Sequence, residues 1–294
     1  MSTPRFLELP PGVRRRDIPT ELGTVAALWA VPTVGSCELQ PALLVPGYTG
    51  SKEDFIAVLQ TLAHAGRTVV AIDMPGQYES PGFGHADGYT LRGLGEAVTA
   101  LTEALEHGPL HLLGHSFGGL VARETVLGGQ AKLLSYAAMS SGPARVDGER
   151  AADARNLVTA LGTDPTRERL AELWERNLDG PTRESGVPDE VYRFLRTRML
   201  ANDPAGLAGM GTEILSAPDR TAELAAVEIP KLVLYGENDT TWPPEVQATM
   251  AQRLSADRVV IPGAAHSPNV EAPETTAGAL NEFWNRAEAP EREV

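Results

Sequence analysis

The sequence predicts an α/β protein: a mostly parallel, doubly wound sheet with an all-helical insertion. Three observations point there. Short apolar runs alternate with amphipathic stretches at helical spacing from residue 24 to about residue 140. From Gly142 to about Ile229 that rhythm gives way to helical patterns alone. It then resumes from residue 230 onward. Buried strands separated by helices are expected to lie parallel, with right-handed crossovers, because the helices cover both faces of the sheet.

The elements follow in order. TVAALWAV (24–31) reads as a strand, and ALLVPG (42–47) as a buried strand running into a turn. KEDFIAVLQTLAHAG (52–66) has helical spacing and a glycine stop. TVVAID (68–73) is a strand, the stretch 90–107 a helix, LHLLG (110–114) a strand, GGLVARETVLGG (118–129) a helix and LLSYAAMS (133–140) a strand. Helical patterns then occupy about 149–162, 165–178, 188–201 and 203–216, separated by GTDP, DGPTRESGVP and NDPAG. KLVLYG (231–236), PEVQATMAQRL (244–254), RVVIPG (258–263) and PETTAGALNEFWNRA (273–287) restore strand, helix, strand and helix. The expected organisation is a core in two stretches, 1–141 and 230–294, with a helical cap at 142–229.

At 294 residues and 42% hydrophobic, the chain can bury one large core with an insertion. A formal net charge of −14 excludes nucleic acid as the expected partner, since phosphate neutralisation needs clustered Lys and Arg. The one basic cluster, Arg14-Arg15-Arg16, reads as a solvated strand. A single cysteine, Cys37, excludes an intrachain disulfide and is expected to be inert. MSTPRFLELPPGVRRR lacks the apolar core of a signal peptide, and no apolar run approaches the ~18 residues of a membrane span. A cytoplasmic location without membrane contact is therefore expected. No Walker A motif or zinc-ligand spacing is present, so neither cofactor nor metal is expected.

LLGHSFGGLVARE (112–124) carries the chemistry. Gly114-x-Ser116-x-Gly118 fits a sharp turn from strand to helix, in which side chains two positions either side of the serine would collide. Such a turn lifts the hydroxyl clear of the sheet and aims a helix N-terminus at developing negative charge. The pattern fixes only three positions in a chain with 29 glycines, and an ordinary tight turn also satisfies it. Its setting, after a buried strand and before a helix, favours an exposed nucleophile.

A serine nucleophile needs a base. Of six histidines, His64 and His107 sit near helix ends, His111 starts a strand, His85 lies in a loop, and His115 is too close to Ser116 to fold back onto it. His266, in IPGAAHSPNVEAPE, follows the last strand, on the sheet edge where parallel strands present their C-terminal ends. Asp239, in LVLYGENDTTWPPE, occupies the same edge, with Glu237 close enough to substitute. The order Ser116, Asp239, His266 selects the aspartate.

In these motifs the chain resembles the α/β-hydrolase fold superfamily, as a serine hydrolase with a helical cap. GHSFGG is similar to its nucleophile elbow, GENDTTWP to its acid loop and GAAHSPNVEAPE to its histidine loop. DMPGQYES (73–80) partly matches a family turn through Asp73, Gly76 and Ser80, with Tyr78 in place of a glycine. VPGYTGSKEDF stands where the family has its oxyanion loop, with Pro46 in place of a histidine. The resemblance implies an oxyanion hole from the Tyr48 and Phe117 N–H groups. It also marks Asp147 and Glu149 as positions where some members place the acid.

The expected activity is hydrolysis of a carboxylic ester or lactone of a small-to-medium apolar substrate through an acyl-enzyme. A thioesterase, a cofactor-free perhydrolase or haloperoxidase-like enzyme and a lyase or cyclase on the same scaffold are alternatives, as is a non-catalytic ligand-binding protein. Trp174, Met199 and Met210 are candidate substrate-pocket residues. They belong, with Leu178, Tyr192, Phe194 and Leu195, to the bulky apolar set that either lines the pocket or packs the cap internally.

Overall fold

The computed structural model describes residues 2–105 and 108–289. Glu106 and His107, the last two residues of the expected 90–107 helix, lie outside them. Eight strands form one sheet: β1 (Val13–Thr20), β2 (Gly23–Ala30), β3 (Leu39–Val45), β4 (Arg67–Ile72), β5 (Leu110–His115), β6 (Leu133–Met139), β7 (Lys231–Gly236) and β8 (Asp257–Ile261). Their order is β1-β2-β4-β3-β5-β6-β7-β8. The β1–β2 and β2–β4 pairs are antiparallel, and every other pair is parallel. The arginine triplet lies exposed on the edge strand β1, where Arg16 sits over Trp29.

Alternate residues of the central strands serve two cores. Leu43, Val45, Val70, Ile72 and Leu112 join one, with residues of α2 (Leu91–Ala104) and α3 (Phe117–Gly128). Ala42, Leu44, Val69, Ala71 and Leu113 join the other, with α1 (Ile56–His64) and α12 (Pro273–Glu288). Burial on both faces is why these strands read as continuous apolar runs rather than alternating ones.

Between β6 and β7 lie six helices: α4 (Gly148–Leu161), α5 (Arg167–Leu173), α6 (Asp179–Glu184), α7 (Asp189–Ala201), α8 (Pro204–Ser216) and α9 (Thr221–Ala225). A third apolar cluster, built on Leu161, Leu170, Trp174, Leu195 and Leu207, holds this segment together. The stretch expected as one helix over 165–178 differs. It breaks into α5 and a π-helical turn over Trp174–Leu178, then continues as α6 through DGPTRE, which reads in the sequence as a separator. Pro181 follows directly on the π-helical turn, where the regular α ladder is already interrupted. α9 has no counterpart in the sequence reading; its five residues are too few to show a period. The segment is tied to the core by a buried ion pair, Arg198 Nη1 to Asp54 Oδ1 at 2.7 Å, and Arg198 Nη2 also donates to the Ser2 carbonyl at 2.7 Å. The remaining helices are α10 (Pro244–Leu254) and α11 (Pro268–Glu271).

Strand order reverses at β3, which lies between β4 and β5. A crevice opens beyond the carboxyl ends of strands at such a point, and ligands of open α/β sheets bind there. The β3–α1 and β5–α3 loops meet at this place.

Candidate active site

Ser116 joins β5 directly to α3 and has φ 55° and ψ −124°, a conformation L-residues rarely adopt. The turn closes only without side chains nearby. A Cβ at Gly114 would overlap the Gly118 carbonyl, and one at Gly118 would overlap the Pro46 carbonyl. The strain is held by Ser116 N–H donating to the Met139 carbonyl at 2.9 Å and Gly119 N–H donating to the Ser116 carbonyl at 2.9 Å.

His266 Nε2 lies 2.9 Å from Ser116 Oγ, and His266 Nδ1 lies 3.0 Å from Asp239 Oδ1. An ionised carboxylate only accepts, so Nδ1 carries the proton and Nε2 is left to accept from the serine hydroxyl. Asp239 is buried. Its Oδ1 also accepts from the Thr241 N–H at 2.9 Å and its Oδ2 from Gln247 Nε2 at 3.0 Å. The other candidate acids point elsewhere. Glu237 accepts from the Gly263 N–H at 3.0 Å, Asp147 pairs with Arg145 on the surface, and Glu149 lies exposed in the first turn of α4.

The His266 loop is gripped on three sides. Glu271 accepts from Ser267 N–H at 2.9 Å and from Ala265 N–H, one residue either side of the histidine. His115 Nε2 donates to the His266 carbonyl at 2.8 Å. Burial lowers the His115 pKa to about 3, and the neighbouring His266 pushes the same way, so His115 is a neutral donor. Sequence reasoning assigns no role to Gln247, Glu271 or His115. A glutamate five residues after the histidine is visible there, but its partners are backbone N–H groups that no side-chain pattern marks.

The oxyanion-loop residues lie against the serine. A Cβ at Gly47 would stand 3.1 Å from Ser116 Cβ. Neither the Tyr48 nor the Phe117 N–H has an acceptor among the described residues. Ser116, His266, Gly47 and Tyr48 open on a cavity of about 590 Å³. Its apolar wall comes from Leu157, Leu173, Leu178, Met199 and Ile214 of the helical segment.

Of the three pocket candidates, only Met199 lines this cavity. Trp174 is turned into the third apolar cluster, beside Tyr192, with Nε1 donating to Asp179 at 3.3 Å. Met210 is buried in the main core rather than on the cavity wall. Both are large apolar side chains with full burial available in packing, which removes them from the cavity surface. Among the described residues no group of three or more His, Cys, Asp or Glu could hold a metal ion, and no helix is long and apolar enough to cross a membrane.

A family model described as "Alpha/beta hydrolase family" matches residues 42–279. The chain belongs to the alpha/beta hydrolase family. It is 27% identical over 260 residues to a pimeloyl-[acyl-carrier protein] methyl ester esterase of Yersinia enterocolitica, covering 87% of this chain and 96% of that one. Among solved structures it is similar to a thermophilic esterase from Thermogutta terrifontis, with TM-score 0.71 and 25% identity, covering 94% of this chain and all (100%) of that one. The enol-lactonase from Burkholderia xenovorans LB400 shares the fold of this alpha/beta hydrolase, with TM-score 0.72 at 18% identity over 92% of this chain and 100% of that one.

Proposed function

We propose that this chain is a serine hydrolase of carboxylic esters or lactones with a small-to-medium apolar acyl or alcohol portion. The observation that carries the reading is the hydrogen-bonded row Ser116–His266–Asp239 opening on the cavity. Ser116 Oγ attacks the carbonyl carbon while His266 Nε2 takes its proton. Asp239 keeps the imidazole in the right tautomer and stabilises the imidazolium. The Tyr48 and Phe117 N–H groups receive the oxyanion. His266 passes its proton to the leaving alcohol, then draws a proton from the water that attacks the acyl-enzyme. The product acid leaves and Ser116 is regenerated.

The segment 142–229 acts in this reading as a cap. It roofs the cavity with Met199, Leu157 and Leu178, and the volume suits a ligand of modest size. Support for an ester comes from the esterases among the similar proteins. The test is a panel of esters and lactones of graded acyl length, run on the wild type and on Ser116→Ala. The variant is expected to fold and to lose about 10⁴-fold or more in rate. A fluorophosphonate should label the wild type and not the variant. Near-wild-type turnover by Ser116→Ala would sink the reading.

A further inference from the structure

We propose that Gln77 is a positioning residue for the oxyanion site: its side-chain amide holds the Gly47–Tyr48 peptide so that the Tyr48 N–H faces the substrate carbonyl. This rests on the reading of Ser116 and Tyr48 given above. Gln77 is fully buried, and all of its amide's partners are backbone groups. Nε2 donates to the Gly47 carbonyl at 2.8 Å and to the Tyr48 carbonyl at 3.0 Å, while Oε1 accepts from the Met74 N–H at 3.1 Å. Two acceptors on one side and one donor on the other permit a single orientation of the amide.

The consequence follows from the planarity of the peptide bond. The Gly47 carbonyl and the Tyr48 N–H belong to one trans unit and point in opposite directions. Fixing the carbonyl therefore aims the N–H. The second bond, to the Tyr48 carbonyl, fixes the next peptide and removes the rotation that would remain about the Tyr48 Cα. The Gly47 carbonyl also accepts from Gly50 N–H at 3.1 Å, a contact within the same loop. Gln77 is the donor that reaches these two carbonyls from outside the loop among the described residues. Pro46, in place of a histidine, offers no side-chain donor to do so.

Gln77 itself stands on a rigid base. Asp73 accepts from Lys52 N–H at 2.7 Å, from Lys52 Nζ at 2.8 Å and from Glu79 N–H at 3.2 Å. Lys52 lies further along the same loop, so the 73–80 turn clasps it twice, through Gln77 at Gly47–Tyr48 and through Asp73 at Lys52. The DMPGQYES turn thereby holds an oxyanion donor from behind. Gln77 is not on the cavity wall.

Two variants test this. Gln77→Ala should lower kcat by about 10–100-fold, short of the ~10²–10³ for outright loss of a donor, with KM changed little. Affinity for a trifluoromethyl ketone analogue of the best ester should fall by the same factor as kcat/KM, and affinity for the corresponding unreactive ether should not. Gln77→Glu keeps the shape and the acceptor for Met74 but, when ionised, has no proton for either carbonyl. Its deficit relative to wild type should shrink as pH falls, because the protonated acid restores one donor. A folded Gln77→Ala enzyme with wild-type kcat, or with a raised KM alone, overturns the proposal. If that variant does not fold, a Gln77→Glu deficit that stays constant with pH overturns it instead. Should Ser116→Ala retain activity, it is the underlying reading that fails, whatever Gln77 does.

Discussion

The strand-end loops and the helical segment between β6 and β7 are held by different forces. Asp239, His266 and the Gly47–Tyr48 peptide are each fixed by directional hydrogen bonds, to the buried Gln247, His115 and Gln77 and to the exposed Glu271. The helical segment is held mainly by an apolar cluster, and the residues it turns toward the cavity include Leu, Met and Ile beside the exposed polar side chains Arg150, Asp153, Asn156 and Asn177. Directional bonds set atoms to within tenths of an ångström, whereas apolar packing tolerates changes of shape at similar volume. The loops suit proton transfer, which requires such placement. The helices suit the fitting of substrates, which does not.

The sharpest break of that contrast lies at Asp239. Asp239→Asn should lose about 10⁴ in kcat at neutral pH, because the amide favours the wrong imidazole tautomer and cannot stabilise the imidazolium. The deficit should ease as pH rises and hydroxide replaces the base. Glu237→Gln and Asp147→Asn should stay close to wild type in the same pH–rate profiles. A collapse in either of those with Asp239→Asn active would move the acid.

Within the helical segment two substitutions separate packing from lining. Trp174→Ala should cost about 3–5 kcal/mol of stability by denaturant titration while leaving the ranking of substrates unchanged. Met199→Ala should change the ratio of kcat/KM between short and long acyl esters by about 10–200-fold. If Met199→Ala scaled all esters equally, the helical segment would not select substrate.

The smallest expected effect is on stability alone and comes from the end of β5 remote from the serine. Burial lowers the His111 pKa from 6.5 to about 4, with Arg67 pushing the same way against its bond to Glu288. The unfolded chain therefore binds more protons between those two values, and stability falls as pH drops through that window. The loss by pH 5 is on the order of 1–2 kcal/mol. Denaturation of wild type and His111→Gln at pH 7 and 5 should show a smaller acid loss in the variant. An equal loss would assign the acid sensitivity to other groups.

Much of the sheet is legible in the sequence because parallel strands buried on both faces leave unbroken apolar runs such as ALLV and KLVLYG. The glycines around Ser116 are legible because their crowding is local to one turn. Met199, Trp174 and Met210 are not separable, since residue type does not say which side of a helix meets a cavity and which meets another helix. Pro181 misleads because the π-helical turn before it, which interrupts the α ladder, leaves no mark in the sequence. Gln77 and Gln247 carry no signal at all. Their partners are backbone groups and a carboxylate brought near only by the completed fold.

Arg198 and Asp54 bear on how molecules reach the serine. Both side chains are fully buried, one on the helical segment and one on the core, so swinging the segment away would pull apart a pair of charges that water does not reach. Breaking such a pair gives up an attraction strengthened by the low-dielectric surroundings. The segment is thus pinned to the core at this point. Arg150, Asp153 and Asn177 of the same segment also line the cavity, with exposed side chains. Such side chains change rotamer in picoseconds to nanoseconds, so this part of the cavity wall adjusts without any movement of the segment as a whole.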